Sequence, residues 1–242
     1  AMPQKQSMSD QVLHRLREDI VNCVYKPGEI ITETEVAQRY GSSKTPAREA
    51  LSTLCLEEYL QKFPRKGYLV KSISLSDLQS LFQFRCILEC ASASLAAQHA
   101  SEAEIRLLQS ICSQIERFED RTAGITAGQH DAGNASFHMQ IARMSRNPYL
   151  ISATANILNQ MRRALTMDLM TTDTSGAFKG HPHIVQAIQE HNPAAAEEAM
   201  RLHIGMTQDR IYLQNSQFFR RRIHIGVISR DIIKLLGRDR SR

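Results

Sequence analysis

The sequence predicts a mainly helical protein: an N-terminal winged helix-turn-helix over residues 9–71, a C-terminal antiparallel all-helical bundle over 72–216, and a basic amphipathic extension over 217–242. Three observations carry that expectation. Gly41-Ser-Ser-Lys-Thr-Pro-Ala-Arg-Glu-Ala-Leu51 describes a helix with cations at its own N-terminus. Tyr59 to Val70 alternates on both sides of Pro64-Arg-Lys-Gly67, as a two-stranded hairpin with a basic tip does. From residue 72 onward no period-2 run occurs and helix caps recur.

A first helix is expected from about Asp10 to Val24, with Val12, Leu16, Ile20 and Val24 on one face. Thr32-Glu-Thr-Glu35 reads as a capping box opening a short helix through Tyr40, with Gly41 closing it. Thr45 then reads as the cap of the next helix and Pro46 as its first position, where no backbone N–H is needed. Ile30, Val36, Ala37, Ala50, Leu51, Leu54 and Leu60 are spaced to share one small core. Lys44 and Arg48 fall within the first turn of the third helix, whose unpaired N–H groups and cations suit phosphates and base edges in a major groove.

Six helices are expected in the bundle. Ser74-Leu-Ser-Asp77 caps one running to about His99, Ser101-Glu-Ala-Glu104 opens another to about Thr122, and a third covers about Asp131 to Ser145. Asn147-Pro148 and Asn192-Pro193 place a cap before a first-turn proline, starting helices over 148–170 and 193–216, with a short one from His181 to Gln189 between them. Asn134 precedes His138 by one turn, so an amide oxygen and an imidazole share a helix face. Arg85 is expected to be buried among Leu81, Phe84 and Leu88, or else to form a surface pair with Glu89.

The formal charge of +5 is unevenly placed. Residues 1–71 hold 11 Lys and Arg against 9 Asp and Glu, residues 217–242 hold 8 against 2, and the stretch between them is net negative by 3. The first part is therefore only mildly basic, and its case for DNA rests on where Lys44, Arg48, Lys62, Arg65 and Lys66 point. Five cysteines without framework spacing, and no apolar run of about 18 residues, lead us to expect a cytoplasmic protein with no membrane partner. Cys86 and Cys90, one turn apart, are expected to pack.

Pro27-Gly28-Glu29, the Ser-Lys-Thr-Pro-x-Arg-Glu-Ala-Leu run and the Pro-Arg-Lys-Gly turn occur in order and together resemble the DNA-binding domain of GntR-type bacterial transcription regulators. The resemblance implies that Lys44 and Arg48 meet operator bases and phosphates, Thr45 meets phosphate, and the wing tip at Arg65, Lys66 and Gly67 approaches the minor groove. Lys44 stands where the family usually has arginine, a point charge in place of a bidentate fork. Asn134-Ala-Ser-Phe-His138, the stretch from His181 to Ile188 and the stretch from Asn192 to His203 resemble the FCD-type effector domain of the FadR branch. That likeness implies a divalent metal held by His138, His181 and His203, zinc or nickel suiting imidazoles best, with Asn134 in place of an aspartate and so weaker binding. It also implies that Arg85 meets a small carboxylate effector, with Arg162 and Arg163 as further candidates.

The expected protein is thus a homodimeric regulator of a palindromic operator, repression relieved by a small organic acid being the expected sign. The competing reading is a helical metallohydrolase using His138, His181 and His203. It lacks a His-Glu-x-x-His or comparable motif to supply a general base.

Overall fold

A computed structural model describes residues 7–119, 127–167 and 180–223. The chain opens with α1 (Met8–Val21), where Ser7 and Asp10 form a reciprocal capping box, and which buries Val12, Leu16, Ile20 and Val21. The helix stops three residues short of Val24, which is left exposed beside Cys23, a residue with positive φ. Strand β1 (Ile30–Ile31) follows, then α2 (Glu33–Tyr40), capped by Thr32 and Glu35 and closed by Gly41 in the left-handed conformation. Next come α3 (Lys44–Leu56), β2 (Leu60–Phe63) and β3 (Gly67–Val70). The three strands form an antiparallel sheet in the order β1-β3-β2, with Ile31 opposite Tyr68 and Phe63 opposite Gly67.

Two details differ from the sequence reading. Ser43, not Thr45, takes the cap position of α3, with no side-chain hydrogen bond. Thr45 and Pro46 are then the second and third helical residues, and proline is tolerated there because the first four N–H groups of a helix have no internal partner. Ile30 is exposed on the edge strand while its neighbour Ile31 faces the core. The pleat sends successive side chains to opposite faces, so only one of the two is buried.

The second part holds α4 (Leu75–His99), α5 (Glu102–Glu119), α6 (Ala127–Met144), α7 (Pro148–Thr166), α8 (His181–Gln189) and α9 (Pro193–Ile223). Ser74 with Asp77, and Asn147 before Pro148, cap α4 and α7 as expected. Each part has its own core: Leu16, Leu51, Leu54 and Tyr59 lie in the first, and Phe82, Leu108, Phe137, Ile184 and Met200 in the second. Cys86 and Cys90 pack against the second core with 3.8 Å between their sulfurs. Helix α9 continues past 216 to Ile223, whereas Ile225, Ile228, Ile232, Leu235 and Leu236 of the expected amphipathic run lie outside the described residues, as do the expected helix ends at Thr122 and 170. No helix among the described residues is long and apolar enough to cross a membrane.

The two parts meet along α7. The Arg162 guanidinium donates to both carboxylate oxygens of Glu18 on α1 at 2.9 Å, and the Gln160 amide donates to the Glu57 carbonyl at 3.4 Å.

Candidate DNA interface and candidate effector site

The N-terminal end of α3 presents Lys44, Thr45 and Arg48 to solvent, while Ala47, Ala50 and Leu51 on its other side fill the core. Arg48 is not free. Its Nε and one terminal nitrogen donate to the two carboxylate oxygens of Glu33 at 2.9 and 2.8 Å, and the Tyr68 hydroxyl donates to the same carboxylate at 3.4 Å. The hydrogen bond from Arg48 holds the Glu33 carboxyl below its ordinary range. Glu33 is the interface residue that the sequence reading missed. It sits in the first turn of α2, where the helix dipole also favours an anion.

At the wing, Arg65 and Lys66 are exposed at the hairpin tip, and Arg65 takes a positive φ. Gly67 is not part of that tip. It opens β3 with φ +118°, and a Cβ added there would lie 2.5 Å from the Ile31 carbonyl oxygen. The approach of β1 therefore requires a glycine here.

Four helices converge on a second site. Arg85 and Glu89 come from α4, His138 from α6, His181 from the start of α8 and His203 from α9, and all five are buried. Arg85 Nε donates to a Glu89 carboxylate oxygen at 2.6 Å, while the other Glu89 oxygen meets His138 Nδ1. Burial by itself would raise the Glu89 carboxyl; the Arg85 charge and the His138 contact outweigh it and bring it down to about 2. Burial pushes His138 down, and pushes His181 and His203 well below the ordinary histidine range. The imidazoles are thus neutral near pH 7, the form that ligates metal.

The ionised Glu89 carboxylate beside His138 Nδ1 favours a proton on that nitrogen, which puts the lone pair of the ring on Nε2. There it accepts from the Arg85 guanidinium at 3.0 Å and lies 3.4 Å from His203 Nε2. One nitrogen from each of His138, His181 and His203 falls within 4.8 Å of the others. Two nitrogens on one tetrahedral zinc at roughly 2.0–2.1 Å stand about 3.3 Å apart, close to the separation of the His138 and His203 pair. The residues fit a divalent ion: three neutral imidazoles converge, and a carboxylate lies against one of them.

Packing explains the convergence. Phe137 stacks on His181 with 4.1 Å between ring centroids, and His181 and His203 rings lie 4.5 Å apart. A Cβ on Gly180 would come within 3.0 Å of His203, so a small residue lets the start of α8 reach α9. Asn134 is half-buried on α6, one turn before His138. Asp131 is on the same helix, and its side chain lies outside the described residues.

The expected neighbours of Arg85 need correction. Phe84 points to solvent, and Phe82, Leu88 and Glu89 share the buried side of α4 with Arg85. Arg162 lies at the boundary between the two parts, where one of its terminal nitrogens donates to Glu18. Arg163 is buried near Tyr59 of the first part, with its guanidinium carbon 5.9 Å from that ring's centroid. Glu89 was legible only as the partner in a surface pair; the stripe Leu78, Phe82, Arg85, Glu89, Ala93 at helical spacing is the signal that places it inside.

Two stretches of the chain match known families. Residues 8–70 match the family described as bacterial regulatory proteins, gntR family, and residues 80–206, more than half the chain, match the FCD domain. The Nta operon transcriptional regulator of Aminobacter aminovorans is 28% identical over 187 residues, covering 77% of this chain and 86% of that protein. The HTH-type transcriptional repressor RspR of Escherichia coli K12 is 26% identical over 222 residues, covering 88% and 94%. The solved structure of E. coli McbR/YncC has a similar fold, with a TM-score of 0.72 at 19% identity over 87% of this chain and 100% of that one. The chain belongs to the GntR family of bacterial regulatory proteins, with an FCD domain as its C-terminal part, and is a DNA-binding transcription regulator rather than an enzyme.

Proposed function

We propose that this regulator is a cytoplasmic homodimeric repressor that binds a palindromic operator through Lys44, Thr45, Arg48, Arg65 and Lys66, and is released when a small organic acid enters the histidine site. The observation that carries the proposal is the charge balance of that site. Arg85 and Glu89 cancel, and the three imidazoles are neutral. With Asn134 in place of an acid, a divalent ion held by His138, His181 and His203 leaves the pocket two charges positive. A carboxylate offsets that charge, and its natural contacts are the ion and the Arg85 guanidinium. When bound, zinc or nickel supplies a Lewis-acid contact for one carboxylate oxygen. The chain's own part is to keep the imidazoles neutral, to fix the His138 tautomer through Glu89, and to aim Arg85.

One recognition helix reads only a few base pairs, so two of them related by the twofold axis of a homodimer would gain affinity from a palindromic operator. The name of one relative, the transcriptional repressor RspR, supports the sign. The test is an operator titration by gel shift at fixed salt, with a panel of small hydroxy, keto and dicarboxylic acids. Arg48→Ala is expected to lose specific binding, about 1–3 kcal/mol per base contact. Arg85→Ala is expected to bind operator normally and to ignore the effector. Arg48→Ala binding as tightly as the parent, or an acid acting equally on Arg85→Ala, overturns the corresponding assignment.

A second measurement addresses the ion. Asn134→Asp restores a carboxylate ligand and is expected to raise zinc retention through dialysis by about 10-fold or more over the parent. Elemental analysis finding no metal in either protein after soaking with zinc removes the ion from the reading.

A further inference from the structure

A cavity of about 350 Å³ lies between the two parts of the molecule, away from the histidines. Its walls come from Glu58 and Lys71 of the winged helix, Asp77, Leu81 and Phe84 of α4, and Arg163 of α7. Most of the polar groups there are already satisfied. Lys71 is ion-paired to Glu58, the Asp77 carboxylate accepts from the Ser74 N–H and hydroxyl at 2.8 and 2.6 Å, and Gln160 donates to the Glu57 carbonyl.

Arg163 is the exception. It is 1% exposed, and among the described residues its Nε and one terminal nitrogen have no hydrogen-bond partner. The nearby Tyr59 ring offers its face to the guanidinium but no acceptor oxygen, and the Tyr59 hydroxyl is itself buried without a partner. A guanidinium stays charged in a protein, and leaving one buried with unmade hydrogen bonds is strongly unfavourable. Arg163 lines the cavity, and the planar guanidinium fork is complementary to a planar or tetrahedral oxyanion. The apolar remainder of the wall, Ile73, Leu81 and Phe84, would cover a short carbon chain.

We propose that this interdomain cavity is a second binding site, for a small ligand carrying a carboxylate or phosphate group, anchored on Arg163 and independent of the histidine site. Its occupant touches α7, the start of α4 and the segment 71–73 that joins the two parts, and so it bears directly on where the DNA-binding part sits. The site does not depend on metal or on Arg85.

Thermal unfolding in inorganic phosphate and in malonate, with chloride at matched ionic strength as reference, tests the proposal on the full chain. For the parent, Tm is expected to rise saturably with at least one of the two anions, by roughly 5–10 °C at 100 times Kd. The arm that responds distinguishes phosphate from carboxylate. In Arg85→Met, whose histidine site can no longer clamp a carboxylate, a rise is expected to persist, and adding Arg163→Met to that variant is expected to abolish it. If the double variant does not fold, Arg163→Lys in the same background, which keeps the charge and loses the fork, is expected to bind at least about tenfold more weakly. A saturable shift of the Arg163 Nε–H resonance in the parent is expected in the same titration. The proposal is overturned if neither anion acts on the parent beyond chloride, if adding Arg163→Met leaves the rise of Arg85→Met unchanged, or if the rise is lost in Arg85→Met alone.

Discussion

Glu33 holds Arg48 by two hydrogen bonds on a face that we propose meets a polyanion, so the carboxylate competes with phosphate for the same guanidinium. The pair is largely solvent-facing on the arginine side and contributes little to stability. Its weight falls on binding. Glu33→Gln removes one negative charge from the interface and frees Arg48, and operator Kd is expected to fall about two- to tenfold at low salt, with little change in Tm. If Kd rises instead, Glu33 orients Arg48 for reading a base and does not compete with the DNA. The sequence showed Arg48 and the helix that carries it, because caps, proline and turn residues are local signals. It did not show Glu33, because that contact joins two helices fifteen residues apart and depends on how they cross. His138, His181 and His203 were legible for a different reason: flanking residues resembled a family whose pattern names them. Glu89 lacked that help, and a helix period alone leaves an Arg-Glu pair at four-residue spacing equally at home on a surface.

Among the elements, β1 has the least sequence signal and a large structural effect. Two residues, Ile30 and Ile31, are too short a run for alternation to be read, and the strand exists because β3 offers an edge for it to pair with. Gly67 makes the pairing possible. Its positive φ and the 2.5 Å approach of the Ile31 carbonyl leave no room for a side chain. Gly67→Ala is therefore expected to cost about 1–3 kcal/mol in urea unfolding and to loosen the wing. Gly28→Ala and Gly41→Ala also place alanine at positive φ, but nothing lies within 4 Å of the added Cβ, so each is expected to cost less. A loss at Gly67 no larger than at Gly41 would show that β1 can move aside. The helices were easier to read. Capping boxes at Thr32 and Ser74 mark their starts to the residue, whereas α3 begins earlier than its Thr-Pro pair suggests because proline is accepted anywhere in the first turn.

Across the whole molecule, α7 is the element that both parts share. Its inner face lines the bundle with Ile157, Leu158 and Met161, and its outer face carries Gln160, Arg162 and Arg163 toward the winged helix. No sequence pattern separates an arginine that lines a pocket from one that reaches another domain, which is why the contact of Arg162 with Glu18 was not legible. Arg162 and Glu18 are each about a third exposed, so breaking the pair is expected to lower stability by no more than about 1 kcal/mol. The larger consequence is for coupling. An effector moves the operator equilibrium only by the difference in its affinity for two placements of the DNA-binding part, and the contacts that transmit placement run through α7. Arg162→Ala is expected to bind effector and operator separately with near-parent affinities, while the factor by which each weakens the other shrinks from the typical 5- to 150-fold toward unity. Calorimetric titration of the effector with and without operator measures that factor directly. A full-sized factor in Arg162→Ala would move the transmission away from the Glu18 contact, to Gln160, Arg163 or the segment joining β3 to α4.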